Sequence, residues 1–208
     1  TFYRTSADDA SWSAPIRLHA DVPGGGDNQR TSIGNHGITW DDNTLYFPHF
    51  YGNSVLVDAA TGKQRQTYRL PLWEPTVARS RNGDLVMFSH SSVVCIFRDD
   101  GKSWNAVTEV AGVSQPDLVA LSDGRLLFCW SGKKRLDEWL AVTEDGFGLD
   151  TARHVKIFDG TDDGVLDSRG KAMALEHGDE ILTVLYEACG RRGNSRIYLV
   201  RTPMNYLI

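Results

Sequence analysis

The sequence predicts an all-β fold of repeated four-stranded antiparallel units, organised as a β-propeller. Three observations carry this: four hairpin segments share one pattern, they recur at roughly blade-sized intervals, and helical periodicity is absent along the 208-residue chain. The segments are ITWDDNTLYFPHF, TVARSRNGDLVMFSH, DLVALSDGRLLFCWS and AMALEHGDEILTVLYE. Each passes from a short apolar or alternating stretch through a polar turn (Asp42-Asn43, Asn82-Gly83, Asp123-Gly124 or Gly178-Asp179) into a second apolar stretch. Such turns favour a hairpin because their residues tolerate the positive φ of a type I′ turn. Asn43 and Gly83 are 40 positions apart, Gly83 and Gly124 41, and Gly124 and Gly178 54. Four strands fit into that interval.

Taken in order, the opening TFYRTSADDASWSAPIRL reads as the third and fourth strands of a unit lacking its first two. It defines a partial blade over about 1–20. Complete units follow at about 33–72, 73–112, 113–158 and 167–208, making residues 1–208 a single domain. After each hairpin a further stretch supplies the remaining strands: SVLVDAATGKQRQTY, VVCIFRDDGKSWNAV, EWLAVTEDGFGL and RIYLVRTPMNYLI. The expectation is a ring of about five blades or a truncated six-bladed one, with an upstream segment or another chain completing it.

Composition narrows the function classes. Hydrophobic residues form 41% of the chain and charged residues 24%, as in ordinary globular domains. A net charge of −5 leaves no basic surplus to displace counterions from phosphates, so nucleic acid is not an expected partner. No apolar run approaches the roughly 18 residues of a membrane span, and the opening residues lack the features of a signal peptide. Cys95, Cys129 and Cys189 follow strand-like runs without CxxC spacing and read as buried thiols. No cofactor or metal ligand set is expected.

One turn carries a family resemblance. Asp99, Gly101 and Trp104 within Arg98-Asp99-Asp100-Gly101-Lys102-Ser103-Trp104 match the Asp, Gly and Trp places of the Asp-box, with Phe97 at the Ser/Thr place. Two degenerate copies accompany it, Thr5 to Trp12 and Val142 to Leu149, the latter read with Glu144 as the acid and Gly146 as the glycine. The carboxylate of such a box accepts backbone N–H groups, its glycine takes positive φ, and its indole packs between sheets. The chain thus resembles the Asp-box (BNR) repeat propellers of the sialidase superfamily. Asp58-Ala59-Ala60-Thr61-Gly62 is similar to a quinoprotein-type turn but occurs once, and is read as an ordinary turn with a glycine exit.

In such a fold the first-to-second and third-to-fourth strand turns share one end. The opposite end, formed by first-strand entries and second-to-third loops, commonly holds the site. Entries place Asn35, His36, Glu74, Gln115, Asp117 and Arg169 there. The loops add His49, Tyr51, His90, Trp130, Lys133 to Arg135, Tyr186, Glu187, Arg191 and Arg192. Guanidinium groups beside aromatic faces suit an acidic carbohydrate, because arginine binds carboxylates bidentately. Each of these residues also has a plainer reading: a solvated turn for Lys133 to Arg135, a structural strand end for His49 and His90, and backbone satisfaction for Glu74 and Asp117.

The sialidase resemblance implies specific roles. Arg135, Arg169 and Arg191 would hold the substrate carboxylate, Tyr186 would be the nucleophile, Glu74 or Glu187 its base and Asp117 the acid. His36, His49, His90 and Trp130 are substrate-binding candidates by their place at that end of the repeat. It also implies an extracellular or cell-surface setting. The Arg-Ile-Pro motif that supplies the first triad arginine in sialidases is absent, Pro15-Ile16-Arg17 having the reverse order. Losing such a partner for a buried carboxylate costs about 2–5 kcal/mol. Two other readings stay open: a propeller polysaccharide lyase, with His49, His90, Tyr51 and Arg135 acting on a uronate, and a non-catalytic propeller that binds glycan or protein.

Overall fold

The computed structural model describes residues 2–4, 11–17, 37–48, 51–90, 92–98, 103–132, 137–159, 173–189 and 194–208. The chain divides into two compact units, Thr1–Trp73 and Glu74–Ile208. In the first, β1 (Phe2–Tyr3) pairs antiparallel with β2 (Ile16–Arg17). A four-stranded sheet follows, β3 (Ile38–Asp41), β4 (Thr44–Pro48), β5 (Tyr51–Asp58) and β6 (Gln64–Trp73), hydrogen-bonded in chain order. Phe47, Val55 and Val57 form its small core, with Leu45 packed against them.

The second unit repeats the same meander. One sheet is β7 (Thr76–Arg79), β8 (Leu85–Phe88), β9 (Val93–Arg98) and β10 (Ser103–Glu109). The next is β11 (Ser114–Ala120), β12 (Leu126–Ser131), β13 (Asp137–Thr143) and β14 (Val155–Asp159). The last is three-stranded, β15 (Met173–His177), β16 (Glu180–Cys189) and β17 (Asn194–Pro203), and ends in a 3₁₀ turn at Met204–Tyr206. Strand β11 lies beside β7 on one side and β15 on the other, so the first strands of these sheets are neighbours. Antiparallel sheets of two to four strands in this repeated order make a propeller-like, nearly all-β fold.

Alternation along β12 explains how the sheets stack. Leu126, Phe128 and Trp130 face a core shared with Val86, Phe88 and Val94, while Leu127 and Cys129 face a second core shared with Ala174, Ile181 and Leu185. A strand buried on both faces reads as a continuous apolar run, which is what LLFCW is. Burial pushes the Cys129 thiol up, with the nearby charges of Glu138 and Asp117 adding to the effect.

The hairpins form where the sequence places them, but their turns differ from the expected type I′. The Gly83 N–H donates to the Ser80 carbonyl and the Ser80 N–H to the Asp84 carbonyl. The same pair of bonds joins Leu121, Gly124 and Arg125. Only the glycines take positive φ, +85° at Gly83 and +86° at Gly124. These are three-residue loops, a type I turn followed by a glycine bulge, which need left-handed backbone at one position instead of two. Gly178, φ +63°, leads a two-residue loop in the manner of type II′, and Asp42-Asn43 turns without positive φ, the Asn43 N–H donating to the Asp41 carboxylate.

The Asp58 turn is built as an ordinary glycine-exit turn. Its carboxylate accepts the Ala60 and Thr61 N–H groups and the Thr61 hydroxyl, and pairs with Arg65 at 2.7 Å. Arg65 foremost, then Thr61, holds the Asp58 carboxyl well below the usual range. Gly62 has φ +70°, and a Cβ there would fall on the Arg17 carbonyl oxygen. Gly62→Ala is therefore expected to destabilise the first unit by about 2 kcal/mol or more, from left-handed strain plus a backbone collision. A lowered denaturant midpoint with unchanged slope would show it.

Two expectations for the degenerate Asp-boxes change. In the turn after β13 the carboxylate that binds backbone is Asp145, which accepts the Phe147 N–H at 3.0 Å, and the Thr143 hydroxyl accepts the Gly146 N–H at 2.9 Å. Glu144 is exposed, because the side chain one position earlier points out of the turn toward solvent. Leu149 fills the Trp place as a fully buried core residue, whereas Trp12 is 56% exposed. The best box spans the β9-to-β10 turn, and its Asp99 to Lys102 lie outside the described residues.

Candidate functional site

Glu74 sits one residue before Pro75 and the start of β7, and His90 follows the end of β8. Because Thr76 pairs with Phe88, both lie at the same end of their sheet. The His90 imidazole Nδ1 is 2.9 Å from Glu74 Oε2, and Gln115 Nε2 donates to the same oxygen at 3.1 Å. Gln115 comes from β11 of the next sheet and lies inside the register shift between Ser114 and Asp117. Such a bulge re-aims a side chain, here toward its neighbour's carboxylate.

This corner is also where the backbone is strained. Glu74 (φ 47°), Ser92 (φ 64°) and Gln115 (φ 48°) are the non-glycine residues with positive φ among the described residues. Ser92 is anchored by accepting the Val110 N–H on its carbonyl and the Val113 N–H on its hydroxyl. Each left-handed residue costs about 1–3 kcal/mol, a cost that persists only where surrounding structure over-determines it. Glu74 and His90 keep 14% and 23% of their side chains exposed, so both remain within reach of a ligand.

Asp117 and Glu138 occupy the second face of the β11–β14 sheet. Asp117 is 3% exposed and its Oδ2 accepts the Ala174 N–H at 3.0 Å, bracing the entry of β15. That contact gives the expected acid a backbone-holding task. Glu138 is also 3% exposed and takes the Ser131 hydroxyl hydrogen bond on Oε1. Burial foremost, opposed by Ser131 and reinforced by the Asp137 charge, pushes its carboxyl up to about 8. Ser114, Ser131 and Glu138 line up across three strands at this end of the sheet.

Sequence reasoning passed over Glu138, although a signal was present. Along β13 the residues Glu138, Leu140 and Val142 share one face by alternation, which puts a carboxylate at an inward position. Trp130, expected as a stacking platform for sugar, differs too. It is 3% exposed and packs edge-on against Phe88 and His154 at 6.0 and 5.1 Å, inside the core. Its place on the β12 face that packs between sheets keeps it from solvent.

Tyr186 and Glu187 lie on β16, in register with Ile197 and Arg196, and only their backbone is described. His36, His49, Arg135, Arg169 and Arg191, with the neighbouring Lys133, Lys134 and Arg192, lie outside the described residues. The structure thus brings together Glu74, His90 and Gln115 and sets Asp117 on another face. Among the described residues no group of three or more His, Cys, Asp or Glu could hold a metal ion. No helix there is long and apolar enough to cross a membrane.

No family model and no curated protein matches the chain. Solved structures do. A GH43 β-1,3-galactosidase with galactodeoxynojirimycin is similar at TM-score 0.56 and 10% identity, over 83% of this chain and 73% of that one. A second GH43 β-1,3-galactosidase is similar at TM-score 0.57 and 13% identity, over 82% of this chain and 43% of the other. A Trypanosoma rangeli sialidase aligns at TM-score 0.46 and 11% identity, over 76% of this chain and 27% of that chain, a likeness too loose to carry an argument. The chain therefore spans less than half the length of two of these three proteins, and what it shares with the galactosidases is a propeller-type fold.

Proposed function

We propose that the chain is a carbohydrate-active propeller that hydrolyses an acidic glycan at a centre built around Glu74. The observation that carries this reading is the corner in which Glu74, His90 and Gln115 meet, with Glu74 and Gln115 held at strained backbone positions. A carboxylate within hydrogen-bond reach of an imidazole is equipped for proton transfer, and strain of this kind clusters at reactive centres. The fold shared with GH43 β-1,3-galactosidases supports a carbohydrate substrate by analogy. In its sialidase-like form the proposal adds an Asp-box repeat and a ring of about five blades or a truncated six. Tyr186 would be its nucleophile beside Glu187, and Arg135, Arg169 and Arg191 its carboxylate clamp. Another chain or upstream segment would complete that ring.

A second reading draws on the same contact. An imidazole oriented by a carboxylate, as His90 is by Glu74, is the kind of group that abstracts the proton beside a uronate carboxylate in a lyase. Proton NMR of the protein with sialylated, uronate-containing, galactosyl and neutral oligosaccharides separates the two by product: a freed sugar for hydrolysis, an unsaturated uronate for elimination. Glu74→Gln is expected to slow either reaction by about 10²–10⁴-fold in a protein that remains folded. Absence of turnover on every substrate class, together with glycan binding indifferent to Glu74→Gln, would overturn the reading in favour of a recognition module.

A further inference from the structure

We infer that the outer face of the last sheet is a self-association surface, through which two copies of this chain pack against one another. Cross-strand register defines the face. Met173, Val184 and Leu199 form one row over β15, β16 and β17; Leu175 and Leu182 begin the next, which Arg201 completes on β17, and Ile197 lies two positions from Leu199 on the same face of β17, on the side away from Arg201. Five of these side chains are open to solvent: Met173 58%, Leu175 51%, Val184 40%, Ile197 74% and Leu199 61%. The opposite face of the same strands, through Ala174, Ile181, Leu185 and Val200, is covered by the β11–β14 sheet.

The exposed face continues an interface the unit already uses. The β7–β10 and β11–β14 sheets share one apolar core, and β11–β14 and β15–β17 share the next. The outer face of β15–β17 offers the same residue class to a further sheet, which would stack about 10 Å away. Isolated exposed aliphatic residues are ordinary, but these five adjoin and leave an apolar patch on the order of 500 Å², at the upper end for a monomer.

A second copy fits this face for two reasons. Under a two-fold axis the same patch meets itself, so any surplus of one charge sign would repel; the Met173 row contains no charge, and Arg201, which completes the Leu175 row, is paired with Glu180 on the same face and so adds no net charge. Two such patches also bury roughly 1,000 Å² together, the lower bound for a specific interface, which predicts a weak, reversible dimer.

Sedimentation velocity over roughly 1–100 µM tests this. The mass is expected to rise from the 23.1 kDa monomer toward twice that value. Leu199→Lys and, on a different strand, Met173→Lys should each hold the protein at monomer mass with unchanged far-UV circular dichroism. Phe147→Lys, at an exposed apolar residue in the turn after β13, should leave the dimer intact. A wild-type protein that stays monomeric throughout, one that grows beyond a dimer, or a dimer untouched by both variants on this face would each overturn the inference.

Discussion

The stability of this chain is expected to fall as pH rises from about 4.5 to about 8, and Glu138→Gln to abolish most of that fall. Burial of the Glu138 carboxyl, outweighing the Ser131 hydrogen bond, favours its neutral form and pushes it up to about 8. In the unfolded chain a glutamate titrates at roughly 4.3. Between these values the folded state binds one proton more than the unfolded state, so stability declines by about 1.4 kcal/mol per pH unit. Below the lower value both states are protonated and the burial carries no ionisation penalty. Above the upper one the penalty is complete, on the order of 5 kcal/mol.

The acid side runs the other way. Asp41, by the Asn43 N–H above all, and Asp123, by Arg125 above all, are held below the ordinary carboxylate range, as is Asp58. Their contributions are present above about pH 4 and are lost as pH falls. Opposed trends of this kind place the maximum near pH 5. Urea titrations from pH 4 to 9 on wild type and Glu138→Gln measure both, since the variant replaces the carboxyl with a neutral amide of nearly the same shape. Parallel curves for the two proteins above pH 5 would mean that Glu138 ionises freely in the folded state.

What the sequence disclosed and what it hid divide along physical lines. Hairpins at Gly83 and Gly124 were legible because a short-range requirement, one left-handed residue between two apolar runs, is written in adjacent letters. The turn subtype was not, because type I′ and a glycine bulge accept the same dipeptides and differ by which residue bonds across the loop. Glu74 and His90, 16 positions apart, met as the strand repeat required, since antiparallel pairing returns the chain to the same end. The repeat put Gln115 at that end as well, but the bulge in which it meets Glu74 is announced by no local pattern. Trp130 and Asp117 were read as loop-end residues, yet each lies within a strand whose faces are both covered, so burial claimed them. Glu138 was missed for the opposite reason: a charged letter in a strand suggests solvent unless the alternation is followed through Leu140 and Val142.

Phe128→Ala is expected to cost about 3–5 kcal/mol. Phe128 is fully buried, stands in register with Leu118 and Ala141, and meets Phe88 of the neighbouring sheet edge to face at 5.2 Å and 77°. The core that would hold the cavity includes Ala78 and Ala141, which are too short to fill it, and Val86 and Leu126, whose strands are pinned by ladders on both sides. A partial collapse would have to shift a whole sheet, so the cost should lie toward the upper part of that range. Phe88→Ala tests whether the pair of rings couples the two sheets: in the double variant the losses should fall short of additivity by about 0.5–1.5 kcal/mol, the worth of the edge-to-face contact. Additive losses would assign the effect to burial in two separate pockets, and a cost below about 1.5 kcal/mol for Phe128→Ala alone would mean that the sheets slide to close the gap. The same result bears on the site, because Glu74 and Gln115 come from the two sheets that this core holds together, and a core loose enough to slide could not keep their 3.1 Å contact.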